Sequence, residues 1–395
     1  MKKVLLISIF ITVVGAGLFA QEFKWDGYVN SGFGYVYTNE EDVDPYLTAF
    51  GVDSGQFGYR FRLNGSYTNA DSSAGAKFRF QSQVGSNQVI GFPYVYGWIK
   101  PLDILTINGG LVDDGTWNSG GVINDDVGEG LGVLVKLSVA GLDAGVGAYM
   151  GSNGSGSGNN TLLMGNNNDI NTDAPLKYTF ALGYTMEDVF KITASVRNEG
   201  KTTGGIDSTV ATQDPSLAIV GFRLLSVPKL GFVVEGRVTD LDDFSDTGKV
   251  DIFEAVSYAI SDKLTIGLNA GQFLNQVEGS DIGIKVGPWV SYAIGKIVPR
   301  LDAMYYLAGA PALDVAGTKG KYNFLHADDA YKPNYDSELS VIAVRPSVKF
   351  NFDSKTALEL GDIVNYEMGP DGKYNGGKSS SRLTNVFYVD FVWKF

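Results

Sequence analysis

The chain has 395 residues, 44% hydrophobic and only 19% charged, with 51 Gly, no Cys, one His and a net charge of −13. Without cysteine there are no disulfides, thiolate metal sites or cysteine nucleophiles, and the acidic balance argues against nucleic acid as a partner. Beyond the first 20 residues no stretch reaches the roughly 18 apolar residues of a spanning helix, which excludes a polytopic helical membrane protein.

The first element is a targeting segment. Lys2 and Lys3 precede the apolar run Val4 to Phe19, and Gly17-Leu18-Phe19-Ala20 gives a small-residue exit. This predicts a signal peptide over 1–20, cleaved after Ala20, rather than an anchor helix, for which the run is short. Residues 21–395 then form one domain of strands. From Gln56 to Thr68 one parity holds Phe57, Tyr59, Phe61, Leu63 and Tyr67, and the other Gln56, Arg60, Arg62, Asn64 and Ser66. After the turn at 69–72, Ala74, Ala76, Phe78 and Phe80 alternate with Lys77, Arg79, Gln81 and Gln83. Such a period of two marks half-buried strands. It recurs around Tyr178 and Phe180, Ile192 and Ala194, Ile266 and Leu268, and Ile284 and Val286. Glu254 and Asp362 break it by landing on the apolar parity, which a bulge or a shifted register explains.

Short turns (near 69–72, 100–103, 140–142, 187–189, 227–230, 260–262, 295–296 and 351–355) alternate with long loops near 38–54, 85–91, 113–129, 151–174, 199–215, 240–248, 273–280, 309–337 and 367–381. That spacing predicts eighteen strands, with sixteen also compatible. A β-sandwich accommodates so many amphipathic hairpins poorly, and a propeller needs a fixed repeat that is absent. Closure into a single antiparallel transmembrane β-barrel removes every edge and turns the apolar parity to lipid, the polar parity to a wet lumen. The fold class expected is therefore all-β.

By that parity the lumen receives Arg60, Arg62, Lys77, Arg79, Lys136, Lys177, Lys191, Arg197, Arg223, Arg237, Lys263, Lys285, Arg300, Arg345 and Lys349, against the acids Glu235, Asp251, Asp281, Asp302 and Glu359. The acidic excess sits in loops. A basic wall biases a pore towards anions. Arg60, Arg62, Lys77 and Arg79 share one hairpin and need counter-charge. Trp289 faces inward by parity, as packing or as a stacking platform for a sugar. Trp25, Tyr67, Trp98 and Trp393 fit an aromatic girdle at the short-turn end, and Tyr35, Tyr37 and Phe57 one at the other. The acidic run Asp240 to Asp246 lacks the Gly and Glu of a calcium loop, and His326 stands beside Asp328 and Asp329 without a serine motif. Neither a cofactor, a metal nor catalysis is predicted.

The end of the chain carries a family signal. Leu383, Phe387, Val389, Phe391, Trp393 and Phe395 alternate up to the terminal aromatic. This resembles the last strand of bacterial outer-membrane porin-like β-barrels. The resemblance implies that Phe391, Trp393 and Phe395 are read by the barrel assembly machinery, with outer-membrane lipid and small hydrophilic solutes as the other partners, and a homotrimer. It also implies that the third long loop narrows the lumen; the matching residues are Asp113, Asp114, Trp117, Asp125, Asp126 and Glu129. The function implied is a passive diffusion channel in the outer membrane, alternatives being a substrate-selective channel or an adhesin or structural barrel.

Overall fold

The computed structural model describes residues 22–39, 44–50, 59–84, 89–112, 130–150, 176–198, 216–239, 241, 244, 248–275, 283–306, 340–368 and 381–395. The leader 1–20 and the loop 113–129 lie outside that set.

The described chain is strand after strand. In order these are β1 (Glu22–Thr38), β2 (Tyr46–Phe50), β3 (Tyr59–Thr68), β4 (Ala74–Val84), β5 (Val89–Leu102), β6 (Leu105–Val112), β7 (Gly130–Val139), β8 (Leu142–Met150) and β9 (Leu176–Met186). The second half holds β10 (Phe190–Asn198), β11 (Ser216–Leu224), β12 (Leu230–Thr239), β13 (Lys249–Ala259), β14 (Leu264–Asn275) and β15 (Gly283–Tyr292). It ends with β16 (Ile297–Tyr306), β17 (Ser340–Asn351), β18 (Thr356–Met368) and β19 (Ser381–Lys394). From β3 to β19 each strand pairs antiparallel with the next, and β19 returns to β1 from Tyr28↔Lys394 to Thr38↔Thr384, closing the sheet. β2 and β3 occupy one place in the wall, since β2 pairs with Gly32–Val36 of β1 and β3 with Glu22–Asn30. The wall therefore has 18 positions, as the loop spacing predicts; the sixteen-strand alternative fails. The strand β2 falls where the sequence predicts only loop.

Turn chemistry fixes the hairpins. Asn69 accepts the Ala74 backbone N–H at 2.9 Å, and Asp71 accepts those of Ser73 main chain (3.1 Å) and hydroxyl (2.7 Å). The Ser73 hydroxyl chiefly holds the Asp71 carboxyl below the ordinary aspartate range. Ala140 and Gly141 both have positive φ (49° and 83°), as a two-residue hairpin turn requires.

Burial then follows parity. On β9 Phe180 is 54% exposed and Leu182 56%, whereas the intervening Thr179 is 0% and Ala181 3%. Phe33, Tyr35, Tyr37, Leu131, Val133, Ile192, Val220, Ile266 and Phe387 continue the exposed apolar belt around the outside. Such a belt is stable only in hydrocarbon, which makes the barrel a transmembrane one. Among the described residues no helix is long and apolar enough to cross a membrane.

Three readings of the wall need correction. Trp98 is not a girdle residue: it pairs with Gly75 and Asn108 on the inner face and packs against Tyr94, Tyr96, Val112, Leu134 and Ala181. Tyr94, Tyr96 and Trp98 alternate with Val95, Gly97 and Ile99, so both parities are apolar and the period cannot tell inside from outside. Lys263 lies in the exposed turn before β14, not in the lumen wall. Finally, no bulge absorbs Glu254 or Asp362. Pairing runs unbroken through Val234↔Glu254, Glu254↔Ala270 and Asp362↔Phe387, and the β17–β18 ladder, which lapses opposite Pro346, resumes in the same register, so both carboxyls point outward.

Candidate functional site

The inner face carries the chemistry, beginning with the β3–β4 hairpin. Its register sets Arg60 opposite Gln83, Arg62 opposite Gln81, Asn64 opposite Arg79 and Ser66 opposite Lys77. The four cations are thus staggered, each across from a neutral polar residue, which avoids like charges in direct opposition. The Arg62 Nε donates to Gln81 Oε1 at 2.5 Å, and the Arg79 Nε to Asn64 Oδ1 at 2.8 Å. Asn64 in turn donates its Nδ2 to Asp26. Two tyrosines complete the setting: Arg62 lies 5.6 Å from the Tyr28 ring centroid and Arg79 4.9 Å from that of Tyr94. Ring faces attract cations without neutralising them.

The remaining predicted cations are held differently. Arg237 bonds Glu235 at 3.3 Å, and both are buried, with Asp251 opposite Arg237 in register. Arg300 reaches both Asp302 oxygens at 2.6–2.9 Å, and Arg345 joins at 3.2 Å. Lys136 pairs with Asp143 at 3.3 Å. Lys191 and Arg223 stand opposite each other across β10–β11, and Lys285 is buried on β15 opposite Gly271. Lys177 and Arg197 take their backbone places on β9 and β10, but their side chains lie outside the described set. The same is true of Asp113, Asp114, Trp117, Asp125, Asp126 and Glu129, of Phe57, Asp281 and His326, and of the carboxylates of the 240–246 run.

Trp289 faces inward, as parity predicts, and is half-buried. Its ring fills the space that a Cβ on Gly267 would need, and the Arg300 guanidinium lies 4.4 Å from its centroid. Both contacts are packing, one of the two roles the sequence leaves open for it.

Sequence reasoning missed an acid. Asp390 on β19 is 2% exposed and accepts the Nδ2 of Asn30 at 2.9 and 3.0 Å. Parity within the terminal strand carried that signal, masked by its aromatics. Nearby the Tyr388 hydroxyl donates to Glu359 Oε1 at 2.8 Å. The inner wall is therefore less basic than a list of its cations suggests. Carboxylates hold the β12 and β16–β17 arginines, whereas amides and tyrosine rings meet Arg62 and Arg79 on β3–β4.

At the seam, Phe391 and Trp393 project outward and are exposed. Phe395 exchanges two backbone hydrogen bonds with Gly27 (3.0 and 3.2 Å), and its ring stacks on Phe61 at 6.2 Å across the gap that Gly27 leaves.

Solved structures share this architecture. OccK11 (OpdR) of Pseudomonas aeruginosa superposes with a TM-score of 0.55 at 8% identity, over 95% of this chain and 97% of its own. OccAB4 of Acinetobacter baumannii gives 0.53 at 10% identity, over 95% and 99%. OccD3 (OpdP) of Pseudomonas aeruginosa gives 0.53 at 9%, over 95% and 92%. The chain has the outer-membrane porin fold. No family model and no curated protein sequence matches it. In this barrel the described residues bring together no group of three His, Cys, Asp or Glu able to hold a metal ion. What the wall does offer is an uneven arrangement: neutral amides receive Arg62 and Arg79 on β3–β4, and carboxylates receive Arg237, Arg300 and Arg345 elsewhere.

Proposed function

We propose that the chain is an outer-membrane porin, a passive channel for small hydrophilic solutes with a weak preference for anions. The observation that carries the reading is the two-faced closed wall: an exposed apolar belt outside and a polar, charge-bearing face inside. The pore-lining residues of this reading are Arg60, Arg62, Lys77, Arg79, Lys177, Lys191, Arg197, Arg223, Arg237, Lys285, Arg300 and Arg345. The anion preference rests on the first four, because neutral amides and tyrosine rings accept Arg62 and Arg79 where carboxylates hold Arg237, Arg300 and Arg345. Low-dielectric walls focus such a field on the passage. Residues 113–129 supply the constriction in this reading, residues 1–20 are removed on export, Phe391, Trp393 and Phe395 are the assembly signal, and the working unit is a homotrimer.

Conductance of the purified protein in a planar bilayer tests it. Stepwise openings and a reversal potential on the anion side of zero in a salt gradient are expected; a silent barrel would refute the channel. The quadruple variant Arg60→Gln, Arg62→Gln, Lys77→Gln, Arg79→Gln is expected to keep its conductance and shift the reversal potential towards cations. An unchanged potential in the inserted variant would refute the basic hairpin as its source.

A further inference from the structure

The short-turn end of the barrel is charged unevenly. From β11 to β19 every short turn carries a lysine, namely Lys229, Lys263, Lys296 and Lys355, and Lys394 closes β19. All five are exposed, against two carboxyls in the same turns, Asp262 and Asp353. From β3 to β10 the short turns carry Asp71, Asp103, Glu187 and Asp188 and no Lys or Arg. Half of the wall thus ends in cations and the other half in acids.

Little within the chain answers these cations. Lys229 reaches Asp262 only at 4.0 Å, and that carboxylate is fully exposed. Lys296 donates to the Phe352 carbonyl at 2.6 Å, a neutral acceptor. The Asp353 carboxylate is taken by the backbone N–H groups of Lys355 and Thr356. In the same turns the outer apolar belt runs to its edge. Ile260, Ile294 and Phe352 continue the outward parity of Tyr258, Tyr292 and Phe350 by one step, and Trp393 ends that of β19. These four are 46–56% exposed, and a lysine follows each within three residues. Adjoining turns lie two strands, or about 10 Å, apart.

We infer that this half of the rim gathers anionic phospholipid headgroups, each apolar side chain entering the acyl layer while the lysine behind it reaches the phosphate. The inference rests on the transmembrane reading of the wall. A lysine holds its ammonium at headgroup level while its stem and neighbours stay in hydrocarbon, and an anionic surface attracts each one. Charge decides among lipids. Phosphatidylcholine offers a phosphate with its own cation beside it, whereas phosphatidylglycerol offers the phosphate alone. The acids that end β3–β10 repel the same headgroups, so the lipid shell is sorted around the barrel. The apolar edge is what favours lipid over a soluble polyanion, because each lysine turn continues a belt that hydrocarbon already covers.

The chain has no cysteine, so single sites can be labelled cleanly. Full-length Ser354→Cys in the basic half, Ile104→Cys in the acidic half and Phe180→Cys in the belt each receive a fluorophore. They are reconstituted in phosphatidylcholine vesicles holding a minority of spin-labelled phosphatidylglycerol or spin-labelled phosphatidylcholine. Either lipid is expected to quench the Phe180 site. Phosphatidylglycerol is expected to quench the Ser354 site more strongly than phosphatidylcholine, with no such preference at Ile104. Raising the salt is expected to abolish the Ser354 preference. So is the combined change Lys229→Gln, Lys263→Gln, Lys296→Gln, Lys355→Gln, with heat-modifiable mobility confirming the folded barrel. Equal quenching at Ser354 by both lipids in low salt overturns the inference, as does a preference that high salt or the folded variant leaves intact. Heparin that binds wild type and not the variant, without any lipid preference, overturns it too and assigns the rim to a soluble polyanion. A Phe180 site that neither lipid quenches overturns the transmembrane reading and this inference with it; a quenched Phe180 beside an indifferent Ser354 removes this inference alone.

Discussion

Asp302 shows what a single inner carboxylate does in this wall. It is 2% exposed and takes Arg300 and Arg345 from two neighbouring strands. Removing one partner of a fully buried ion pair costs about 3–5 kcal/mol. Arg300 keeps a third of its side chain exposed, so water relieves part of that loss. Asp302→Ala is therefore expected to destabilise the barrel by about 1–3 kcal/mol, measured by urea unfolding in lipid vesicles; an unchanged midpoint would show that the lumen solvates both guanidiniums. At this scale the sequence was legible wherever one parity was polar. Arg62, Arg79, Arg237, Arg300 and Arg345 all point inward as alternation predicts. It was illegible where both parities were apolar, at Trp98, because a period of two carries no sign. Partners were hidden as well: that Gln81 and Asn64, not acids, receive Arg62 and Arg79 depends on a register between strands that no single strand encodes.

Whole hairpins were easier to read than their details, because turn residues act locally. The turn between β17 and β18 is held by Asp353, whose Oδ1 accepts the backbone N–H groups of Lys355 and Thr356 at 2.7 Å each. These bonds, that from Lys355 foremost, hold the carboxyl below the ordinary aspartate range. A carboxyl with a depressed value in the folded state stabilises above its unfolded value of about 3.9, and the contribution fades as pH falls through the folded value. Asp353→Ala is accordingly expected to unfold more easily than wild type at pH 7, with the difference closing in acid. Parallel unfolding curves across that range check it; a gap that persists at the acid end would assign the effect to something other than the charge. The strand β2 escaped notice for the opposite reason. Five residues, Tyr46–Phe50, are too few for a period to stand out, and they become strand only because the upper half of β1 leaves its edge open to them.

For the molecule as a whole, closure depends on the pairing of β19 with β1. Phe395 bonds Gly27 through the backbone and lays its ring over β1 onto Phe61 of β3, so it ties three wall positions together. Deleting Phe395 is expected to lower the amount of heat-modifiable barrel in the membrane while the synthesised amount stays the same; equal membrane levels would show that Trp393 and the β19 ladder suffice. The closing seam has a further consequence in time. Asn30 and Asp390, bonded across it, are 360 positions apart, whereas the other neighbouring strands of the wall are also neighbours in sequence. Hairpins can therefore assemble one by one, but the ring cannot shut until β19 has been made and meets β1. Contacts so distant in sequence are slow to form. Through that interval β1 and whichever strand comes last present open edges, ready to pair with another chain. How long those edges stay open is thus set by a single pairing, that of β1 with β19, and a chain lacking β19 keeps them.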